Sequence, residues 1–263
     1  MRGLLFRPTA SRLVEGLSLI HILTAWDLGA VDISAAHDTA GMAAGRRIDA
    51  PSGQRDSTAI GDWRGTGHVY LIDMGYDALG LHMGYVKLRM AQVSSTHYTL
   101  DFAQLDGSAL SSLFVTKDPV CQFTYLSLED GILPIEPQTG SWDFCFSQYT
   151  HQFYEPYMPY LVNGVLTPTG VRAARIDGLD FNVIALSDTL AFPMEGRRNT
   201  IGYDWKYYSF ETGSYTMVAD CAYIVQDAEG YFYKLRFIDF YGDSGQSGCP
   251  KFEVVPLLSL IHI

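Results

Sequence analysis

Residues 221–241, CAYIVQDAEGYFYKLRFIDFY, give the strongest indication of the fold. The two apolar runs at 221–226 and 231–241 have the composition of strands, because β-branched and aromatic residues fit a pleated, half-buried surface. The four residues between them, Asp227 to Gly230, are turn formers, and the glycine can adopt the positive φ of a tight connection. The stretch therefore predicts a β-hairpin, and residues 251–255 predict a last strand after it.

Short apolar runs bounded by turn residues also precede this hairpin, at a spacing typical of antiparallel β architectures. They predict strands at residues 69–73, 85–93, 97–104, 121–128 and 142–151. The first three follow one another closely and predict a meander. In the last one, alternation places Trp142, Phe144 and Phe146 on one face, which predicts that this face is buried. We therefore predict an all-β fold of antiparallel strands with long loops.

The composition argues against several classes of function. The formal net charge of −11 disfavours a nucleic-acid partner, since phosphate binding relies on clustered Lys and Arg. No apolar run approaches the roughly 20 residues of a membrane span, and HExxH, GxSxG, phosphate-loop and EF-hand motifs are absent from the sequence. We therefore expect a binding protein and not an enzyme.

Four cysteines, at 121, 145, 221 and 249, leave two alternatives open. They form two disulfides, or they are small buried hydrophobes. The second alternative is favoured, because a chain of 263 residues can bury a full core without covalent cross-links.

The hexapeptide LSLIHI occurs twice, at residues 17–22 and 258–263. Two isolated copies lack the fixed period of an architectural repeat. In one reading frame, the end of a sequencing-library adapter translates to these six residues. We therefore interpret residues 1–22 and 258–263 as artefactual and expect one β domain over residues 23–257, with a missing natural N-terminus.

Candidate ligand residues lie in and around the segment 153–203, whose four prolines predict long loops with short strands. His151 ends a predicted strand and leads into a loop with Met158, while Met194 and Met217 lie near other loop-to-strand junctions. Imidazole and thioether groups can bind a transition metal, although methionine more often fills gaps in a core. Arginines at 172, 175, 197 and 198 would pair with ligand carboxylates or cover a solvated loop face.

Six segments together resemble a known family of surface proteins. They are DSTAIGDW at 56–63, VYLIDMGY at 69–76, WDFCFSQYTH at 142–151, YLVNGVL at 160–166, IGYDWK at 201–206 and YKLRFIDFY at 233–241. In order and spacing they are similar to the HmuY-like haem-binding family over most of residues 26–257. The resemblance implies a hand-shaped all-β fold and a secreted or lipid-anchored location at the cell surface. It also implies capture of haem for iron acquisition, with delivery to an outer-membrane haem receptor.

The chain departs from the family pattern at the iron ligands. The best-known member holds the iron between two histidines in loops before the last strands, whereas this chain has no histidine between Gln152 and the expected native end. Relatives that use methionine make Met194 and Met217 the candidate iron ligands by region, with His151 and Met158 as further haem-binding candidates. The alternative is a non-catalytic surface module of the same fold that has lost haem and binds a glycan, a peptide or a partner lipoprotein. A hydrolase is less well supported, because no nucleophile, base and orienting group can be nominated together.

Overall fold

The computed structural model describes residues 3–6, 24–42, 44–54, 57–76, 79–128 and 130–257. In these residues the regular structure consists of β-strands and a short 3-10 helix at Leu186–Leu190, and α-helix is absent. The strands pair mainly antiparallel, so the predicted all-β fold is confirmed. None of the helical structure within the described ranges has the length and apolar character needed to cross a membrane.

The chain divides into two compact units. Unit 1 comprises Met1–Thr139 and Thr150–Leu161, and unit 2 comprises Gly140–Tyr149 and Val162–Ile263. The strands of unit 1 are β1 Gly3–Phe6, β2 Thr24–Asp27, β3 Arg47–Ile48, β4 Val69–Asp73, β5 Tyr85–Val93, β6 His97–Ala103, β7 Ser111–Thr116, β8 Phe123–Ser127 and β9 Gly131–Leu133. The division falls within the next two strands, β10 Cys145–Tyr154 and β11 Tyr157–Leu166, which pair with each other. That residues 23–257 behave as one domain stays a prediction.

Unit 1 contains a six-stranded antiparallel sheet with the order β3-β2-β4-β5-β6-β7. The predicted strands at 69–73 and 85–93 are β4 and β5, and the strand predicted at 97–104 is β6, one residue shorter. Since β4, β5 and β6 are neighbours in sequence order, the predicted meander is confirmed. Its core includes Leu88, Leu100 and Val115, which are almost completely buried.

The N-terminal segment is described only at β1, which pairs in parallel with β8 from Gly3↔Phe123 to Phe6↔Leu126. Both copies of the hexapeptide lie outside the described residues. The artefactual origin of residues 1–22 and 258–263 therefore stays a prediction.

Deleting residues 1–22 and 258–263 should leave the melting temperature unchanged, because a segment joined by error has no native packing to lose. Thermal unfolding of the full-length and trimmed chains, followed by circular dichroism, measures the difference. A loss of several degrees, equivalent to roughly 1 to 2 kcal/mol in a chain of this size, would show instead that β1 packs natively.

Unit 2 is built on a four-stranded antiparallel sheet. Its strands are β12 Arg172–Asp177, β15 Cys221–Gln226, β16 Phe232–Tyr241 and β17 Ser247–Pro256, in that order across the sheet, with β13 Lys206–Ser209 and β14 Ser214–Met217 forming a separate pair. The predicted hairpin is confirmed: Gln226 pairs with Phe232, and the Asp227 amide donates to the Tyr231 carbonyl at 3.0 Å. Gly230 has a φ of 92°, the conformation that the turn required.

Two hydrophobic clusters cover the two faces of this sheet. The first core cluster contains Val165, Val171, Ala173, Ile201, Trp205, Cys221, Tyr223, Val225, Leu235, Phe237 and Phe240. The second core cluster contains Ile176, Phe181, Ile184, Ala222 and Ile224. Consecutive residues of β15 alternate between the clusters, and side chains of a strand point alternately to opposite faces. The two clusters therefore lie on opposite faces of the sheet.

Two local predictions are wrong in part. The segment 153–203, predicted as loops with short strands, contains the end of β10 and all of β11 and β12, and only residues 178–203 are mostly irregular. The strand predicted at 142–151 begins at Cys145, and Phe146 is 43% exposed where a buried face was predicted. The alternation shifts by one residue at Phe144 and Cys145, so that Tyr149 becomes the buried aromatic of β10.

Candidate functional site

The β10–β11 hairpin carries two of the four predicted ligand residues, His151 and Met158. The first strand ends at Tyr154 and the second begins at Tyr157, which leaves a two-residue connection. Aromatic residues on both sides of that connection favour strands. A short connection between two such strands produces an antiparallel pair that presents side chains on two faces.

His151 and Met158 lie on the same face of this hairpin. On β10, His151 shares a face with Phe153, and their rings are in contact with centroids 4.8 Å apart. On β11, Met158 shares a face with Tyr160 by the same alternation. The ring centroids of Phe153 and Tyr160 are 6.3 Å apart across the two strands. All four side chains therefore lie on the same face of the hairpin. We call the set His151, Phe153, Met158 and Tyr160 the hairpin face.

The hairpin face is partly open to solvent. Tyr160 is 50% exposed and Met158 is 42% exposed, while His151 and Phe153 are half-buried. Exposed apolar surface of this kind marks binding sites more often than isolated exposed residues do. The face thus combines one imidazole and one thioether, two of the side-chain types that can bind iron, with two aromatic rings.

The structure places the other two predicted ligands, Met194 and Met217, apart from each other. Met194 is half-buried against the second core cluster, and Met217, at the end of β14, packs against the first core cluster. Because these clusters lie on opposite faces of the four-stranded sheet, the two thioethers do not converge on one point. Each remains a predicted ligand by itself, but they are not brought together as a pair.

The arginines proposed for ligand carboxylates already have protein acceptors. Arg172 Nη2 donates to the Met194 carbonyl at 2.6 Å, and Arg198 Nε donates to the Thr167 carbonyl at 3.0 Å. Arg175 pairs with Asp177 and Asp204, and Arg197 pairs with Glu195. A ligand carboxylate would therefore have to displace one of these acceptors.

A buried ammonium group in unit 2 was missed by the sequence reasoning. Lys206 is only 5% exposed, and its Nζ donates to the Asn163 carbonyl at 2.6 Å. The same nitrogen lies 4.2 Å from the ring centroid of Trp205 and 4.6 Å from that of Phe240, within the range of cation–π attraction. Burial lowers the pKa of Lys206 to about 8, and the attraction of Asp204 acts in the opposite direction. The group connects β13 to β11 and β16 inside unit 2.

Lys206 should make the stability of the protein depend on pH. Its pKa is about 8 in the folded chain against 10.5 for the unperturbed group, so between these values the unfolded state binds more protons. The free energy of unfolding should therefore rise with pH across this window, relative to a Lys206→Met variant, by about 1 to 3 kcal/mol. Urea titrations of both proteins at pH 7.5 and at pH 10 measure the change.

Lys251 provides the matched control for this experiment. It is exposed, and its hydrogen bond to Asp243 raises its pKa. A group with a raised pKa keeps its contribution below the unperturbed pKa of 10.5 and loses it only at higher pH, so the stability of Lys251→Met should stay parallel to the parent value from pH 7.5 to 10. An unfolding free energy of Lys206→Met that stays parallel to the parent value from pH 7.5 to 10 would contradict the buried-ammonium account.

The sequence reasoning also did not identify Phe153 and Tyr160 as members of the site. A signal was present, since aromatic residues flank Glu155-Pro156 on both sides, as in a hairpin with a two-residue connection. In the sequence alone, the prolines at 156 and 159 predict loops. In a two-stranded sheet each strand has one edge without a neighbouring strand. Proline is tolerated where its missing N–H would face that edge.

The fold and the hairpin face define the class of the protein: an antiparallel β protein with an exposed aromatic surface that carries imidazole and thioether donors. A family model described as HmuY protein matches residues 79–254, about two thirds of the chain, and the chain belongs to the HmuY family. The resemblance found in the sequence is thereby confirmed, although its segments at 56–63 and 69–76 precede the matched residues. Membership suggests a role in haem acquisition. Searches of the curated proteins and of the solved structures find no match.

Proposed function

We propose that this protein is a haem-binding surface protein that serves haem and iron acquisition, and that the hairpin face is its haem-binding site. The single observation that carries the proposal is that His151 and Met158 share one exposed face with two aromatic rings. Met158 supplies a thioether donor, and His151 supplies the neighbouring imidazole. Bound haem would bring a redox-active iron to these donors, and the chain itself contributes binding and not catalysis.

The donor set fits haem better than it fits a bare metal ion. In the part of the chain that the structure describes, no group of three or more His, Cys, Asp or Glu side chains gathers as a metal site would require. Phe153 and Tyr160 add ring surface that a bare ion does not use and that a planar macrocycle does. The hairpin face therefore suits an apolar, planar ligand with an iron centre better than it suits a bare ion.

Family membership supports a location and a delivery route for the bound haem. We propose a location outside the cell or on the outer-membrane surface, with attachment through a lipid anchor and transfer of haem to an outer-membrane receptor. No nucleic acid is involved, since the net charge of −11 opposes phosphate binding.

The alternative is a surface module of the same family that has lost haem binding. The observation that favours it is the separation of Met194 and Met217 onto opposite faces of the four-stranded sheet, which removes the pair of ligands expected by region. In that case the exposed rings of the hairpin would contact a glycan or a protein, as tyrosine-rich surfaces do elsewhere.

A haemin titration followed in the Soret region tests the proposal on the parent and on four single variants. His151→Ala and Met158→Ala remove the donors of the hairpin face, and each should weaken binding at least tenfold, about 1.4 kcal/mol. Met194→Ala and Met217→Ala test the two ligands expected by region: if the hairpin face is the site, loss of these thioethers, which pack against the cores of unit 2, should leave the haem spectrum unchanged.

His97→Ala is the matched control for His151→Ala. Both histidines are half-buried, belong to unit 1 and contact an aromatic ring, since His97 stacks on Phe114 at 4.3 Å. The proposal predicts parent-like binding for this variant. Equal losses in His97→Ala and His151→Ala would indicate non-specific adsorption of haemin, and a loss confined to Met194→Ala or Met217→Ala would move the site to unit 2.

A further inference from the structure

We propose that the outer edge of β17 pairs with the same edge of a second copy of this chain, in an antiparallel arrangement centred on Phe252. In the part of the chain that the structure describes, β17 is the last strand of the four-stranded sheet. The backbone groups along such an edge can accept a further strand. The pairing involves unit 2 and does not depend on haem.

The backbone N–H groups of Phe252 and Val254 point to this outer edge. The Leu257 amide donates to the Phe232 carbonyl at 2.8 Å, on the inner side of β17. Alternate residues of an antiparallel strand direct their N–H and C=O groups to opposite sides. The extra residue at the register shift lies on β16, so the alternation of β17 continues through residues 250–256. Even-numbered residues of this run therefore face outward.

Two prolines bound the part of the edge that can pair. Pro250 and Pro256 face outward by the same alternation and have no N–H to donate. In a pair centred on Phe252, each Phe252 amide meets the Phe252 carbonyl of the second copy, and each Val254 amide meets a Pro250 carbonyl. Every outward N–H of residues 250–256 then has an acceptor.

The charged side chains of β17 select this register. Lys251 and Glu253 lie on the face of the strand opposite to Phe252, and both are partly exposed. Centring on Phe252 places each Lys251 directly opposite Glu253 of the second copy, where oppositely charged pairs stabilise a sheet. A shift of the pairing by two residues would place Lys251 opposite Lys251, or Glu253 opposite Glu253.

The contacts that these two side chains make within their own chain leave room for the new ones. Arg236 donates to Oε2 of Glu253, and Lys251 Nζ donates to Asp243 Oδ1 at 2.6 Å. A carboxylate has two acceptor oxygens, and an ammonium group has three donors. Each side chain can therefore keep its present partner and bind across the two copies.

The other face of β17 carries an apolar surface that the pairing would cover. Phe252 is 41% exposed and Val254 is 40% exposed, and the ring of Phe146, itself 43% exposed, lies 5.6 Å from that of Phe252. Centring on Phe252 brings two Phe252 rings opposite each other, and cross-strand aromatic pairs stabilise antiparallel sheets. The same register thus satisfies the backbone, the charges and the rings.

The experiment is sedimentation equilibrium of the full chain without haem over a range of concentrations. We expect a reversible monomer–dimer equilibrium, weak because one pair of edges buries little surface. Val254→Pro removes an outward N–H and leaves the ladder with β16 intact, so it should raise the Kd about tenfold or more. A chain ending at Leu257, without residues 258–263, should dimerise like the full chain.

Charge reversal tests the register. Lys251→Glu and Glu253→Lys each place like charges opposite one another, and each should raise the Kd for self-association about tenfold or more. A mixture of the two variants should form a heterodimer with a Kd near the parent value, because opposite charges then meet again. Glu211→Lys, at an exposed residue between β13 and β14, changes the net charge as Glu253→Lys does and should leave the parent Kd unchanged. Circular dichroism checks that each variant is folded.

Four results would overturn the proposal. The first is a parent chain that stays monomeric up to about 1 mM, the level at which weak association is still measurable. The second is a dimer that Val254→Pro leaves unchanged, and the third is a mixture of the charge-reversed variants that forms no heterodimer. The fourth is loss of the dimer on removal of residues 258–263, which would place the contact in that segment. None of these results bears on haem binding.

Discussion

Phe237→Ala is expected to lower the free energy of unfolding by about 3 to 5 kcal/mol, the usual cost of truncating a buried aromatic side chain. Phe237 is 9% exposed in β16, and its ring stacks on Trp205 with centroids 3.9 Å apart and an interplanar angle of 14°. The same ring makes an edge contact with Tyr223 at 6.3 Å. Truncation therefore removes the centre of the first core cluster and leaves a cavity that rigid aromatic neighbours cannot fill.

Phe252→Ala is the matched control. Phe252 pairs directly with Phe237 on the neighbouring strand but is 41% exposed, so truncation should cost about 1 kcal/mol. Urea unfolding of both variants gives the two values. Equal costs would show that Phe237 is not the packing centre of unit 2.

Gly164→Ala should have the second-largest effect, a destabilisation of about 1 to 3 kcal/mol from overpacking. A Cβ at this position would lie 2.6 Å from the Gly202 carbonyl oxygen and 2.8 Å from the Tyr149 hydroxyl. The backbones are already joined here, since the Val165 amide donates to that same carbonyl at 2.8 Å. Since backbone cannot rotate away as a flexible side chain can, β11 and the loop at Gly202 would have to separate.

Gly196→Ala controls for the general effect of replacing a glycine. Neither glycine has a positive φ, and an added Cβ at Gly196 meets no atom within 4 Å. This variant should be as stable as the parent or slightly more so, because alanine restricts the unfolded chain. Adding Tyr149→Phe to Gly164→Ala should restore only part of the loss, because it relieves the contact with the hydroxyl but not the one with the carbonyl. Full recovery would contradict the role given to the backbone.

The parts of the fold that the sequence predicted are those with a local cause. The β15–β16 hairpin follows from the four turn residues between two apolar runs, and β4 and β5 follow from short runs bounded by glycine. The sequence does not predict the β10–β11 hairpin, because the prolines at 156 and 159 favour loops. The edge positions that tolerate them depend on which strands pair, which is a tertiary property.

For the candidate site, the sequence predicts the donor residues but not their arrangement on one face. The sequence identified His151 and Met158 as donors from residue type and from position near a strand end. That they share a face with Phe153 and Tyr160 depends on the pairing of two strands. Likewise, Met194, in an irregular segment, and Met217, at the end of β14, pack on opposite faces of a sheet because of tertiary contacts that no local periodicity encodes.

The most direct test of the central claim, that the hairpin face binds haem through a thioether with an imidazole beside it, is a haem titration of the parent chain under oxidising and under reducing conditions. We predict a shifted and sharpened Soret band with one haem per chain in both states, and a lower Kd after reduction, because the thioether prefers ferrous iron. His151→Ala and Met158→Ala should both weaken the response. No spectral change in either oxidation state would contradict the account and would favour a surface module that has lost haem.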